Sequence, residues 1–176
     1  MVALVGCSSS NTTPTSSTGV ATTDSVARPS DDGTLVLGAV LPRGGVAPEL
    51  GASLRAAVDL AVSEINAAGG VLGQPVKLIV RDEGDSAASA LVAVQELDQL
   101  GVDAIIGPAS SVNLLTTLGA SVSDGVLTCS PTASALSLDA FPDNGLLLRT
   151  VPSDSLQATA IARVVEQSGS ASATLV

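Results

Sequence analysis

Seven consecutive residues with no polar side chain, Leu35-Val36-Leu37-Gly38-Ala39-Val40-Leu41, bounded by Gly33 and Pro42, constrain this chain more than any other segment. As a strand such a run has no face to offer water, so it predicts a central strand of a parallel sheet covered on both sides. The period then changes. Leu50, Leu54, Ala57, Val58, Ala61, Val62 and Ile65 recur at three- and four-residue spacing and predict a helix with one apolar face, stopped at Gly69-Gly70. A strand at Val76 to Val80 follows, then a helix capped by Asp85 or Ser86, with the stripe Ala90, Leu91, Val94, Leu97 and Leu100 and its end at Gly101. The unit repeats: strand Ala104 to Ile106, turn Gly107-Pro108, helix from about Ser111 to Ser123, strand Val126 to Ser130 and a short helical stretch near Ser134 to Leu138. A fifth strand at Leu146 to Val151, a helix from about Ser155 to Gln167 and the beginning of a strand at Ala173 to Val176 complete the pattern. Strands alternating with helices through short loops require right-handed crossovers, so the expected fold is α/β: a doubly wound, open parallel sheet that binds ligands at the carboxyl ends of its strands.

Composition removes several chemistries. The 176 residues are 45% apolar, enough for a core, but that core must be aliphatic because there is one Phe and no Trp or Tyr. Asp and Glu outnumber Lys and Arg by 17 to 7, giving a net charge of -10 with Lys77 the single lysine, which argues against nucleic-acid binding. The absence of His removes the commonest general base and the commonest zinc ligand, and with them most hydrolase and metalloenzyme readings. No G-x-G-x-x-G or G-x-x-x-x-G-K-[ST] run exists, and Gly69 to Gly73 follow a helix rather than a strand, so no nucleotide cofactor is expected. The acidic cluster Asp82, Glu83 and Asp85 lacks the spacing of a calcium loop and reads as a solvated loop rather than a metal site.

The front of the chain is of another kind. Leu4-Val5-Gly6-Cys7 resembles a bacterial lipobox, which makes Cys7 the expected site of lipidation, and no basic stretch or full apolar stretch precedes it. Residues 8–33 are dominated by Ser, Thr, Pro, Asp and Gly without apolar periodicity and read as a flexible tether. Anchor and leash together suggest a domain held near the outer membrane surface by lipid and not by a span. Cys129, in the apolar run Val126 to Cys129, is expected to be a buried free thiol.

Five segments in order resemble the type I periplasmic-binding-protein superfamily, and within it the bacterial receptors for leucine, isoleucine, valine and related amides. They are Leu41-Pro42; Ala61-Val62-Ser63-Glu64-Ile65-Asn66-Ala67-Ala68-Gly69-Gly70-Val71-Leu72-Gly73-Gln74-Pro75-Val76; Val102 to Ser111 around Ile106-Gly107-Pro108; Cys129-Ser130-Pro131-Thr132-Ala133-Ser134; and Leu148-Arg149-Thr150-Val151-Pro152-Ser153-Asp154. The resemblance implies two lobes joined by crossing segments, closing on a small ligand. On that frame residues 34–151 form the first lobe and residues 152–176 a crossing segment with the start of a second lobe that is otherwise missing.

The loop Ala109-Ser110-Ser111 opens a helix, so its hydroxyls and free N–H groups suit a carboxylate; the residues alone are equally read as a helix cap. The resemblance assigns this loop to the ligand's α-carboxylate, with Ser111 aligned best. It assigns Thr132, Ala133 and Ser134 to the ammonium group, through a backbone carbonyl and a hydroxyl, where the residues alone read as an ordinary turn. Arg43 borders the same edge. The implied function is non-enzymatic: a solute-binding receptor, lipid-anchored on the extracellular face of the cytoplasmic membrane, that passes an amino acid or amide to the membrane subunits of an ABC importer. The alternative is the ligand-binding domain of a signalling receptor.

Overall fold

The computed structural model describes residues 32–44, 48–170, 172 and 174. Cys7, nearly all of the expected tether, residues 45–47 and most of the terminal strand expected at 173–176 lie outside the described residues. Five strands, β1 (Val36–Leu41), β2 (Lys77–Asp82), β3 (Ala104–Ile106), β4 (Leu127–Ser130) and β5 (Leu147–Arg149), form one sheet in the order β2-β1-β3-β4-β5. All neighbouring pairs are parallel. The crossovers carry α1 (Pro48–Ala67), α2 (Ala87–Gln99), α3 (Ser111–Ser123) and a 3₁₀ turn at Leu136–Leu138, and α4 (Asp154–Gln167) follows β5. The run without a polar face is indeed enclosed, by β2 on one side and β3 on the other, and the direction of strand addition reverses between them.

One face of the sheet is well covered. Ala93, Val94 and Leu97 of α2 pack on Val40, Ile105, Val102 and Val126, and Leu97 lies so close to Gly38 that a Cβ there would stand 2.8 Å from its Cδ1. Leu114 and Leu118 of α3 pack on Ala133 and Leu138 beside Phe141 and Leu147. Each fully buried Leu of these clusters contributes about 1.5–3 kcal/mol relative to exposure. On the other face the register aligns two apolar rows, Leu78-Leu37-Ala104-Leu127 and Val80-Ala39-Ile106-Cys129-Leu148. Here α1 meets the sheet mainly at β1. Its predicted stripe is therefore only partly covered: Leu54, Val58 and Val62 are half-buried, Leu50, Ala57, Ala61 and Ile65 are exposed, and Gly51 alone is buried. Gly51 is where the helix touches the end of β1, since a Cβ there would collide with the Pro42 carbonyl.

Boundaries moved by a residue or two. β2 runs on to Asp82, β5 stops at Arg149, and α4 begins at Asp154 because Ser153 caps it by accepting from Ser155 N–H. Ser86 caps α2 in a reciprocal box with Ser89. Cys129 is a free thiol, but it is half-buried rather than buried, on the partly covered face; burial raises its pKa. The segment Glu64 to Gly70 is a structural joint. Asn66 clamps the Val76 backbone in both directions, accepting from its N–H at 2.7 Å and donating to its C=O at 3.0 Å, while Gly70 N–H closes the helix end on Ile65 C=O.

Candidate functional site

The parallel strands deliver five loops to one edge: Pro42 to Gly44 after β1, Glu83 to Ser86 after β2, Gly107 to Ser110 after β3, Pro131 to Ala135 after β4 and Thr150 to Ser153 after β5. Gly107 has φ +101 and a Cβ there would collide with the Val40 carbonyl, so the β3 loop can pass this close to β1 only with glycine. A cleft of about 480 Å³ opens between the first three loops, lined by Pro42, Gly44, Leu50, the segment 83–87, Ala109, Ser110, Val112 and Asn113. A second hollow of about 430 Å³, lined by Gln95, Asp98, Gln99, Gly101, Val102, Asp124 and Val126, lies at the opposite, amino-terminal edge. The strand geometry favours the first, because open α/β sheets bind at their carboxyl ends.

At the start of α3 the Ser110 side chain makes no capping bond, and the first intrahelical bond runs from Leu114 N–H to Ser110 C=O. The N–H groups of Ser111, Val112 and Asn113 therefore precede the helical ladder. The loop is fixed instead by hydroxyls from the β4 side. Ser130 Oγ donates to Pro108 C=O at 2.6 Å and accepts from Ala133 N–H, and Thr132 Oγ1 donates to Ala109 C=O at 2.7 Å. Ser111 Oγ accepts from Ala135 N–H at 3.3 Å. These bonds leave complementary capacity: Ser111 has spent an acceptor site and keeps its donor, whereas Thr132 has spent its donor and keeps acceptors.

The other expected residues divide. Ser110 is exposed and lines the cleft, whereas Ser111, Thr132, Ala133 and Ser134 are not among its lining residues and lie on the β4 side of the α3 start. Ser134 is half-buried, with its carbonyl taken by Asp154 N–H. Ala133 is fully buried among Leu114, Leu118 and Leu138, so only its backbone can face a ligand. Arg43 stands apart: its N–H donates to Asp82 Oδ1, and its side chain borders a smaller hollow with Arg55 and Pro48 instead of the 480 Å³ cleft.

The expectation that the acidic cluster is solvated fails at Glu83. Asp82 and Asp85 are exposed, but Glu83 is 2% exposed, and its carboxylate accepts from Ala109 N–H (2.8 Å), Ser110 N–H (2.9 Å) and Asn113 Nδ2 (2.8 Å). The donors lie far along the chain and converge only after β2 and β3 have flanked β1, so no local pattern could announce them. Asp139 was missed as well. It accepts from Arg149 Nη2 at 2.6 Å and from the Ser153 and Ser155 hydroxyls, tying the chain's exit from β5 to the start of α4; the Ser153 hydroxyl first, and then Arg149, hold its carboxyl below the usual range. Among the described residues no group of acidic or cysteine side chains is placed to hold a metal, and no helix is long and apolar enough to cross a membrane.

Comparison with known proteins is consistent in kind. A family model described as periplasmic binding protein matches residues 34–176. The Leu/Ile/Val-binding protein BraC3 of Rhizobium johnstonii is 29% identical over 133 residues, covering 74% of this chain and 35% of its own length. The substrate-binding protein LivJ of the Streptococcus pneumoniae branched-chain amino acid transporter, solved with isoleucine, superposes with a TM-score of 0.65 at 29% identity, over 69% of this chain and 35% of that one. An ABC transporter substrate-binding protein of Desulfitobacterium hafniense, solved in complex with Leu, gives 0.66 at 26% identity, over 77% of this chain and 39% of that one. The chain thus spans little more than a third of the length of these relatives.

Proposed function

This chain belongs to the periplasmic binding protein family, and from that premise we propose that it is the first-lobe portion of an extracellular solute receptor that grips a small zwitterion, an aliphatic amino acid in particular, for delivery to an ABC importer. It is a binding protein and not an enzyme. The observation that carries the ligand class is the pairing of spare capacity on adjacent loops: a Ser111 donor beside the open start of α3, which suits a carboxylate, and Thr132 acceptors, which suit an ammonium group. Ser110 and Ser134 complete the two loops, and the Ala133 carbonyl can add a backbone acceptor. Support for the aliphatic class comes from relatives solved with isoleucine and with Leu. Cys7 as a lipid anchor, with residues 8–33 as its leash, accounts for how such a receptor stays at the cell surface.

The test is a titration of the 176-residue chain with L-leucine, followed through the backbone amide resonances of Ser110 to Asn113 and Thr132 to Ser134. One lobe leaves the ligand half solvated, so a dissociation constant of about 1 mM or weaker is expected. Ser111→Ala or Ser134→Ala should cost a further 1.5–3 kcal/mol or so, the range for hydrogen bonds to charged groups, with little change in thermal stability for Ser134→Ala and a loss of about 1 kcal/mol for Ser111→Ala, which also gives up its bond from Ala135 N–H. Binding of sugars alone, or two alanine variants that bind as the parent does, would remove the proposal.

A further inference from the structure

The uncovered N–H groups at the start of α3 would accept any anion if nothing opposed them. Something does. Glu83 lies at that helix start with three N–H donors converging on its two oxygens, an arrangement suited to a carboxylate that only accepts. None of the ion pairs Arg55–Asp59, Arg81–Glu96 and Arg149–Asp139 involves Glu83. Its compensation is thus dipolar. A helix N-terminus is equivalent to roughly half a positive charge, so a full negative charge at the same place leaves the spot negative on balance. Among the described residues, Glu83 and Asp85 are the only charged ones lining the cleft, and both are acidic.

Resting on the proposed binding of a zwitterion, we propose that Glu83 is a charge-selectivity residue, whose buried carboxylate at the start of α3 rejects ligands that carry only negative charge and admits those that bring a cation of their own. The N–H groups of α3 still orient an incoming carboxylate by hydrogen bonding. The net field rewards it only when an ammonium group arrives with it.

Three probes of similar shape separate the charges: L-leucine, 4-methylpentanoate, which lacks the ammonium group, and 3-methylbutylamine, which lacks the carboxylate. Each is titrated into the full chain and into Glu83→Gln at fixed ionic strength, with amide shifts as the readout. The wild type is expected to bind leucine best and 4-methylpentanoate worst. A unit charge within about 10 Å at an effective dielectric near 20 changes affinity by roughly tenfold or more, so Glu83→Gln should narrow the leucine-to-methylpentanoate ratio by about that factor. Should the variant fail to fold, the wild-type ranking and Asp85→Asn, which removes an exposed charge from the same cleft and should narrow the ratio less, still decide. Methylpentanoate binding to the wild type as tightly as leucine, or a Glu83→Gln variant that weakens all three probes by one common factor, overturns the proposal, the latter because it marks a purely structural role. Failure of the wild type to bind any of the three overturns instead the functional reading beneath it.

Discussion

Replacing Asn66 by Ala removes both halves of the clamp on Val76. Val76 is 4% exposed and precedes β2, so its N–H and C=O lose partners at 2.7 and 3.0 Å where water has little access. Leaving these two buried backbone groups unpaired, at about 1–2 kcal/mol each, gives an expected loss of about 2–4 kcal/mol. With a slope of about 2 kcal/mol per molar urea, the unfolding midpoint should fall by roughly 1–2 M at unchanged slope. Asn66→Asp is the informative companion: it keeps an acceptor for the Val76 N–H but turns the donor into a second acceptor facing the Val76 carbonyl, so it should lose more than half as much. Urea titration followed by far-ultraviolet circular dichroism measures both. A midpoint shift below about 0.3 M for Asn66→Ala would refute the view that this side chain fixes the entry to β2, and with it the register that carries Glu83 to the far end of the strand.

Two more predictions follow from single residues. Leu72 sits at φ 52 in the tight turn between Val71 and Gln74 and is 85% exposed, so Leu72→Asn should stabilise the chain by about 0.5–1 kcal/mol, read as a raised melting temperature; destabilisation would contradict the strain assigned to it. Asp139 has a folded pKa below its ordinary 3.8, so what it contributes is present above that value and lost as pH falls through the lowered one. Hydrogen exchange at Ser155 and Leu156 should accelerate in that acid window for the parent, whereas Asp139→Asn should show no such step; a step of equal size in the variant would exclude Asp139 as its origin.

The elements legible in the sequence were those whose signal is local. The run Leu35 to Leu41, the stripe Ala90-Val94-Leu97, the capping candidates Asp85 and Ser86 before α2 and the glycine after it each state their role within a few residues, and the structure agrees, with Ser86 as the cap. The α3 limits were legible for the same reason. The misread features depend on partners distant in sequence. Glu83 is indistinguishable from its exposed neighbours Asp82 and Asp85 until α3 lies over it. The stripe of α1 has the right period, but period says only that a helix has an apolar side, and the main contact made by that side is with β1. At the candidate site the loops were readable from strand ends, while the split of labour between the Ser111 and Thr132 hydroxyls was not, because it depends on bonds across loops to Ala135 and Ala109.

The strand order has a bearing on how this chain is made. β1 emerges first and lies inside the finished sheet; β2 then adds to one of its edges, β3 to the other, β4 to β3 and β5 to β4. Each strand therefore joins an edge that is already standing, and none must be inserted between two paired neighbours. For a topology built from non-local parallel pairs, which is intrinsically slow to form, assembly in the order of synthesis keeps each loop closure as short as the crossover itself. A circular permutation that placed β1 last would reverse this advantage, obliging the final strand to enter a gap between β2 and β3 that nothing had yet held open.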